Sequence, residues 1–179
     1  NSALVKADGS GEIFHPVNSG FGESNPKWGM DGKMMTYESS KEGRKSLALQ
    51  GSTEVDVYAV FFDQEAYDEY ELSKEEFELL NEREQKEKEE AEKKEEESKK
   101  KKKKEEKKQE TLELNLKNLD NRKEKLTINS SSISDYVLND DASKLYYLSS
   151  FEKGYDLWVT EPRTRETKIL AKLGGTPSG

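Results

Sequence analysis

The chain has 179 residues, a net charge of −8, 38% charged residues and 31% hydrophobic residues, which is long enough for one ordinary domain. It has no cysteine and a single histidine, which excludes disulfides, thiolate metal sites and a histidine-rich zinc site. No apolar run approaches membrane-spanning length and no signal-peptide pattern is present, so we expect no membrane span. Because Asn1 begins within a repeat pattern, we expect a fragment of a longer protein.

Charge is concentrated in one block of the sequence. Between Glu82 and Lys108 only three residues are uncharged, and the block carries 13 basic and 11 acidic residues. Since the whole chain carries −8, the remainder carries −10 and has an ordinary globular composition. An acidic body argues against nucleic-acid binding by the body itself.

Taken in chain order, the predicted elements form repeats of antiparallel strands. Residues 1–24 have a strand, polar turn, strand pattern and are predicted to end a preceding unit. Asp31-Gly32 is a tight-turn signal between two apolar runs of the next unit. In the last unit, "KLYYLSS", "YDLWVTE" and "ETKILAKL" are predicted to be successive strands.

Two offsets define the repeat. A shift of 110 residues places Trp28 on Leu138, Asp31 on Asp141, Met35 on Leu145 and Tyr37 on Tyr147. A shift of 43 residues places 113–126 on 156–169. Together the two shifts predict a unit of about 43 residues whose first full copy carries an insertion of about 68 residues before its third strand. Such a period is typical of four-stranded propeller blades, and an isolated meander sheet is the alternative.

We therefore expect an all-β fold, a β-propeller fragment of about two four-stranded antiparallel blades plus part of a third, with a long charged helical insertion. The predicted boundaries are: end of a preceding blade 1–24, first part of a blade 25–50, insertion 51–111, completion of that blade 112–133, next blade 134–174, linker or truncated end 175–179.

Within the predicted insertion, "DVYAVFF" is expected to be a buried strand, and a charged helix is expected over about 73–108. Ser73 and Glu76 form a capping-box pattern at its start. Beyond Glu82 the helix has no apolar stripe, but it has Glu–Lys pairs four residues apart that contribute ~0.2–0.5 kcal/mol each. No aromatic residue interrupts this tract for base stacking, so a solvated spacer is favoured over a partner-binding arm.

A search for reactive or ligand-binding patterns predicts no catalytic residue, no cofactor site and no metal site. His15 and Ser19 lie in one loop, but no nucleophile elbow or orienting Asp accompanies them, so a simple loop histidine is favoured. An acidic cluster follows "DVYAVFF" without the spacing of a calcium loop, and it could cap a helix or repel anionic ligands. Its members are Asp63, Glu65, Asp68 and Glu69.

The stretch "NPKWGMDGKMMTYES" resembles the blade signature of TolB-like propellers. Gly29 and Met30 depart from the usual Ser-Pro of that signature. The matching residues are Asn25, Pro26, Trp28, Asp31, Gly32, Lys33 and Ser39. Together with "DVYAVFFDQEAYDEYELSKEEFELL", the Lys/Glu-rich tract and "FEKGYDLWVTEPRTRETKILAKLG", nearly the whole chain resembles the N-terminal propeller region of bacterial tricorn-type proteases, Bacteroidetes homologues in particular.

This resemblance implies a parent serine peptidase that degrades oligopeptides, with a PDZ-like module and a catalytic domain outside this chain. The propeller would then gate or orient peptides or support assembly, including a homo-oligomer. From net charge alone, we also expect the acidic body to favour basic peptides. The family implies a cytoplasmic location, with the bacterial periplasm as the alternative. Two other functions stay open: a TolB-like interaction module with no peptidase attached, and the propeller of a prolyl-oligopeptidase-type enzyme.

Overall fold

A computed structural model describes residues 2–7, 9–45, 53–98, 114–151 and 154–175, with side chains described outside 88–98. Within these ranges the chain forms three antiparallel sheets and two α-helices. The first sheet is a two-stranded hairpin of β1 (Leu4–Val5) and β2 (Ile13–Phe14), in which Leu4 lies opposite Phe14. It lies in the segment that is predicted to end a preceding blade.

The second sheet has four strands in sequence order. They are β3 (Glu23–Gly29), β4 (Met34–Ser39), β5 (Asp56–Phe61) and β6 (Lys123–Lys125). A 3-10 turn over Met30–Gly32 joins the first two strands, and Asp31 and Gly32 have φ values of 51° and 89° there. Glycine adopts this left-handed region at little cost, which explains the Asp-Gly signal.

The third sheet repeats this arrangement with β7 (Ser132–Leu138), β8 (Leu145–Ser150), β9 (Tyr155–Glu161) and β10 (Glu166–Gly175). Leu138 lies opposite Leu145 in this sheet, and Trp28 lies opposite Met35 in the second. These pairs correspond at a shift of 110 residues, so the first hairpins of the two sheets share one register.

The predicted position of the insertion is wrong. Strand β5 pairs along its whole length with β4, so it is the third strand of the second sheet and does not belong to an insertion at 51–111. The long connection instead follows β5 and ends at β6, the only strand of that sheet inside the predicted completion at 112–133. The shift of 43 residues aligns Leu114 and Leu116 with β9, but both residues lie outside any strand.

Two helices occupy the described part of this connection: α1 (Gln64–Glu71) and α2 (Lys74–Ser98). The predicted capping box is confirmed, because the Glu76 N–H donates to Ser73 Oγ at 3.3 Å and the Ser73 N–H donates to Glu76 Oε2 at 3.0 Å. Phe77 is buried and Leu80 partly buried, as expected for one apolar face at the helix start. The predicted extension of the helix to residue 108 lies outside the described residues beyond Ser98.

The sheets stack face to face, and both faces of the second sheet are covered. One core cluster joins Met34, Phe61 and their neighbours on the second sheet to Tyr147 and its neighbours on the third. The other cluster joins Met35 and Val60 on the opposite face to residues of the first hairpin. Strands β4 and β5 are consequently buried at every position.

Candidate functional site

The first strands of the two large sheets, β3 and β7, each lie at a free edge of their sheet and contact each other. We call β3 and β7 together the first-strand edge. The Lys27 ammonium donates to the Asp135 carboxylate and to the Tyr136 carbonyl oxygen, and it lies 4.5 Å from the centre of the Tyr136 ring. One lysine therefore connects two stacked sheets through three interactions.

Asn25 provides a second connection between the sheets at the same edge. It has a φ of 50° at a register irregularity of β3, a conformation in which asparagine is enriched among non-glycine residues. Its carbonyl oxygen accepts a hydrogen bond of 2.6 Å from the Tyr136 hydroxyl, and its side-chain amide donates to Glu38 Oε1 at 3.0 Å. Asn25 thus has a structural role in packing one sheet on the next.

The first-strand edge is acidic. Glu38 is 8% exposed and accepts hydrogen bonds from Ser24 and Asn25. The hydrogen bond from Lys27 lowers the pKa of Asp135, so this carboxylate stays charged at neutral pH. Glu23 accepts from the Ser19 N–H at 3.1 Å, and its Oε2 is buried with no hydrogen-bond partner among the described residues. On β3 and β7 the two acidic residues Glu23 and Asp135 outnumber Lys27, and Glu38 on the neighbouring strand β4 adds a third acidic side chain, so the edge is acidic.

The two candidate loop residues do not form a catalytic pair. His15 Nδ1 lies 3.3 Å from the Ser2 carbonyl oxygen, and the Ser19 hydroxyl donates to Glu23. Within the described ranges no hydrogen bond joins His15 to Ser19. Each side chain has a local partner that fits a loop role.

The acidic cluster after β5 provides the N-cap of α1 and continues along its length. Asp63 is the N-cap of α1, and its carboxylate accepts from the Ala66 N–H at 2.8 Å. Asp68 accepts from the Gln64 amide at 2.7 Å one turn away. Across the described residues, no group of three or more His, Cys, Asp or Glu side chains could hold a metal ion.

A buried polar cluster at the start of β5 is absent from the sequence predictions. Asp56 is 0% exposed. Its Oδ1 accepts from Thr127 Oγ1 at 2.7 Å and lies 3.2 Å from Lys125 Nζ, and its Oδ2 accepts from Ser130 Oγ at 2.6 Å. Burial opposes the charge of Lys125, but its hydrogen bonds to Glu42 and Asp56 raise its pKa overall. These contacts fix the link between the second and third sheets. An acidic residue opening an otherwise apolar strand is the signal that could have revealed it.

None of the described helices is both long and apolar enough to cross a membrane.

Comparison with known proteins identifies the fold. Neither a protein-family model nor a curated protein matches the chain. Among solved structures it is similar to the tricorn protease, at 10% sequence identity and a TM-score of 0.55, and the match covers 94% of this chain. The chain spans 15% of the length of that protein. At such low identity the similarity shows the fold alone.

That fold is a β-propeller fragment resembling the tricorn protease propeller. The second and third sheets are two four-stranded antiparallel blades, and the β1–β2 hairpin is an additional sheet stacked on the first of them. The predicted fold class is confirmed, and the resemblance to tricorn-type proteins is confirmed at the level of the fold. From here the second and third sheets are called blade 1 and blade 2.

Proposed function

We propose that this chain is a non-catalytic propeller segment of a tricorn-like serine peptidase that degrades oligopeptides. The observation that carries the proposal is the similarity to the tricorn protease across 94% of the chain. In this role the catalytic domain and a PDZ-like module belong to other parts of the parent protein, which assembles as a homo-oligomer. The cytoplasm is the proposed location, with the periplasm as the alternative.

The first-strand edge is the proposed contact surface for peptides. Propeller blades surround a central channel, and β3 and β7 are the free edges that two adjacent blades present side by side. Because Glu23 and Asp135 on this edge, with Glu38 on the neighbouring strand β4, outnumber Lys27, the field along this edge attracts positive charge. Peptides with basic side chains would therefore be concentrated and oriented at this edge, in preference to acidic ones.

The test is a peptidase assay on the natural protein with matched basic and acidic oligopeptides. Replacing Asp135→Asn leaves Lys27 without its carboxylate partner, so kcat/KM should fall for basic peptides and rise for acidic ones. Glu166→Gln, a change of the same charge at the exposed start of β10, is the control and should leave the ratio unchanged. The preference should also weaken as salt is added, because exposed charges are screened.

Two results would reject separate parts of the proposal. If the natural protein cleaves no oligopeptide, the peptidase assignment is wrong. If it cleaves peptides but Asp135→Asn does not change the ratio, the assignment of the first-strand edge is wrong.

A TolB-like interaction module without a peptidase is the second candidate. It is favoured by the role of Asn25, because the signature residue packs one blade on the next and needs no attached enzyme. A natural protein that binds basic peptides without cleaving them would support this candidate.

A further inference from the structure

A cleft of about 320 Å³ lies between the first turns of α2 and two turns of blade 2. The β7–β8 and β9–β10 turns form one side, and the helix from blade 1 forms the other. Its volume is at the low end of the range of small-molecule sites. Six charged residues line it: Lys74, Glu78, Asp141, Lys144, Glu161 and Arg163.

The six charges are balanced, and within the described residues no two of them form a direct ion pair. Three are positive and three are negative. Among the ion pairs found in the described part of the chain, none includes any of the six. Arg163 and Asp141 still act on each other, because Asp141 raises the pKa of Arg163 and Arg163 lowers the pKa of Asp141, so each favours the charged form of the other.

Arg163 is held in place while part of its hydrogen-bonding capacity is unused. Its guanidinium lies 3.7 Å from the centre of the Phe77 ring, and Nη2 donates to the Glu69 carbonyl oxygen at 3.1 Å. Nε and Nη1 are buried and have no hydrogen-bond partner among the described residues. Burial lowers the pKa of this guanidinium, while Tyr70, Glu69 and Asp141 act in the opposite direction.

Asp141, the aspartate of the cleft, is also held in place by its neighbours. Its Oδ1 accepts from the Asn139 amide at 2.6 Å and from the Ser143 N–H at 3.0 Å, which fixes the carboxylate within the β7–β8 turn. A carboxylate accepts up to about four hydrogen bonds, so Asp141 retains capacity for an ammonium group. The cleft thus presents a fixed cation and a fixed anion together.

We propose that this cleft binds a zwitterionic amino acid. The ligand carboxylate contacts the positive group of Arg163, Lys74 and Lys144, and the ligand ammonium contacts the negative group of Asp141, Glu78 and Glu161. The biological reading rests on the proposed function, since free amino acids are the final products of oligopeptide degradation.

The experiment is calorimetric titration of the natural protein with L-leucine, N-acetyl-L-leucine and L-leucinamide. We expect L-leucine to bind, and the two capped compounds to bind about tenfold more weakly or worse, because each lacks one charge-assisted contact. Lys144→Gln and Glu78→Gln, both at exposed positions, should each weaken L-leucine binding by about tenfold. Lys168→Gln, an exposed change on β10 outside the cleft, should leave the affinity unchanged.

Three outcomes overturn the proposal: no binding of L-leucine, equal binding of a capped compound, or unchanged affinity in both Lys144→Gln and Glu78→Gln. These variants change exposed side chains, so the test does not depend on Arg163, whose replacement would also disturb packing. Leucine binding requires no peptide cleavage, so this proposal and the proposed function fail separately. A protein that cleaves peptides but does not bind leucine rejects only the cleft, whereas one that binds leucine without cleaving peptides rejects only the peptidase assignment.

Discussion

Blade 1 and blade 2 share strand order and register but differ between their third and fourth strands. In blade 2 this connection is the short turn of residues 162–165, followed by the ten residues of β10. In blade 1 it runs from residue 62 to residue 122, and β6 has three residues. Yet β6 still pairs with β5, with Tyr58 opposite Lys125. A blade therefore tolerates a very long connection at this position without losing its sheet.

Polymer physics and packing explain this tolerance. Loop closure becomes only ~0.6 kcal/mol more costly with each doubling of loop length. The start of the connection also forms its own core contacts, because Tyr67 and Tyr70 of α1 pack on Phe61 with ring centroids 5.4 and 5.0 Å apart. Arg163, in the short turn of blade 2, then contacts the helices of blade 1. The short connection of one blade thus supports the long connection of its neighbour.

The largest expected effect comes from removing the shared core of blade 1 and α1. Phe61 is 0% exposed, so Phe61→Ala should lower the free energy of unfolding by about 3–5 kcal/mol. Denaturant unfolding of the natural protein measures this loss. Leu170→Ala on β10 is the control, since Leu170 is 53% exposed and its loss should cost less than about 0.5 kcal/mol. Equal effects of the two changes would contradict the described packing.

A smaller loss of stability is expected when the contact between Arg163 of blade 2 and the helices of blade 1 is removed. Arg163→Ala removes the contacts with Phe77 and Tyr70 and the hydrogen bond to the Glu69 carbonyl oxygen, which together contribute about 1–3 kcal/mol. Amide exchange should accelerate in α1 and the start of α2, while β8 and β9 stay protected. Arg165→Ala, in the same turn but exposed, is the matched control. Faster exchange throughout blade 2 instead would mean that Arg163 stabilises its own turn.

The sequence patterns predicted the strands of blade 2 and the Asp31-Gly32 turn because each depends on local chemistry. They misplaced the insertion because alternation of apolar residues is common to many segments. Leu114 and Leu116 alternate as Leu157 and Val159 do, whereas β5 is buried on both faces and reads as a continuous apolar run. The pairing of the third strand was therefore assigned to the wrong segment.

The contacts at the first-strand edge and at the cleft between α2 and blade 2 could not be predicted in the same way. Lys27 and Asp135 meet only because two blades stack, and Arg163 meets Phe77 only because α2 returns over blade 2. No spacing within one segment encodes such contacts. The shift of 110 residues does place Asn25 on Asp135, so the repeat marked these positions as equivalent without showing that they are neighbours.

A substitution in the capping box of α2 tests whether the long connection is ordered from the start of this helix. Ser73→Ala removes the acceptor for the Glu76 N–H, so it should cost about 1 kcal/mol of helix stability. Faster amide exchange in the first turn of α2 is the expected readout, with no change in α1, whose cap is Asp63. Ser73→Asp retains an acceptor and should restore protection. If Ser73→Ala leaves the first turn protected, the packing of Phe77 alone holds the helix start.

The smallest effect concerns the contact between the blades at the first-strand edge. The hydrogen bond from Lys27 lowers the pKa of Asp135, so the folded carboxylate holds its charge to lower pH than the ~3.9 of an unfolded aspartate. The stabilisation is therefore complete above about pH 4 and is lost as the pH falls through the lower, folded pKa. Carboxyl NMR titration should find that pKa below the ordinary value, and Lys27→Met should return it toward normal. An unchanged titration in Lys27→Met would show that Lys27 does not set the charge of Asp135.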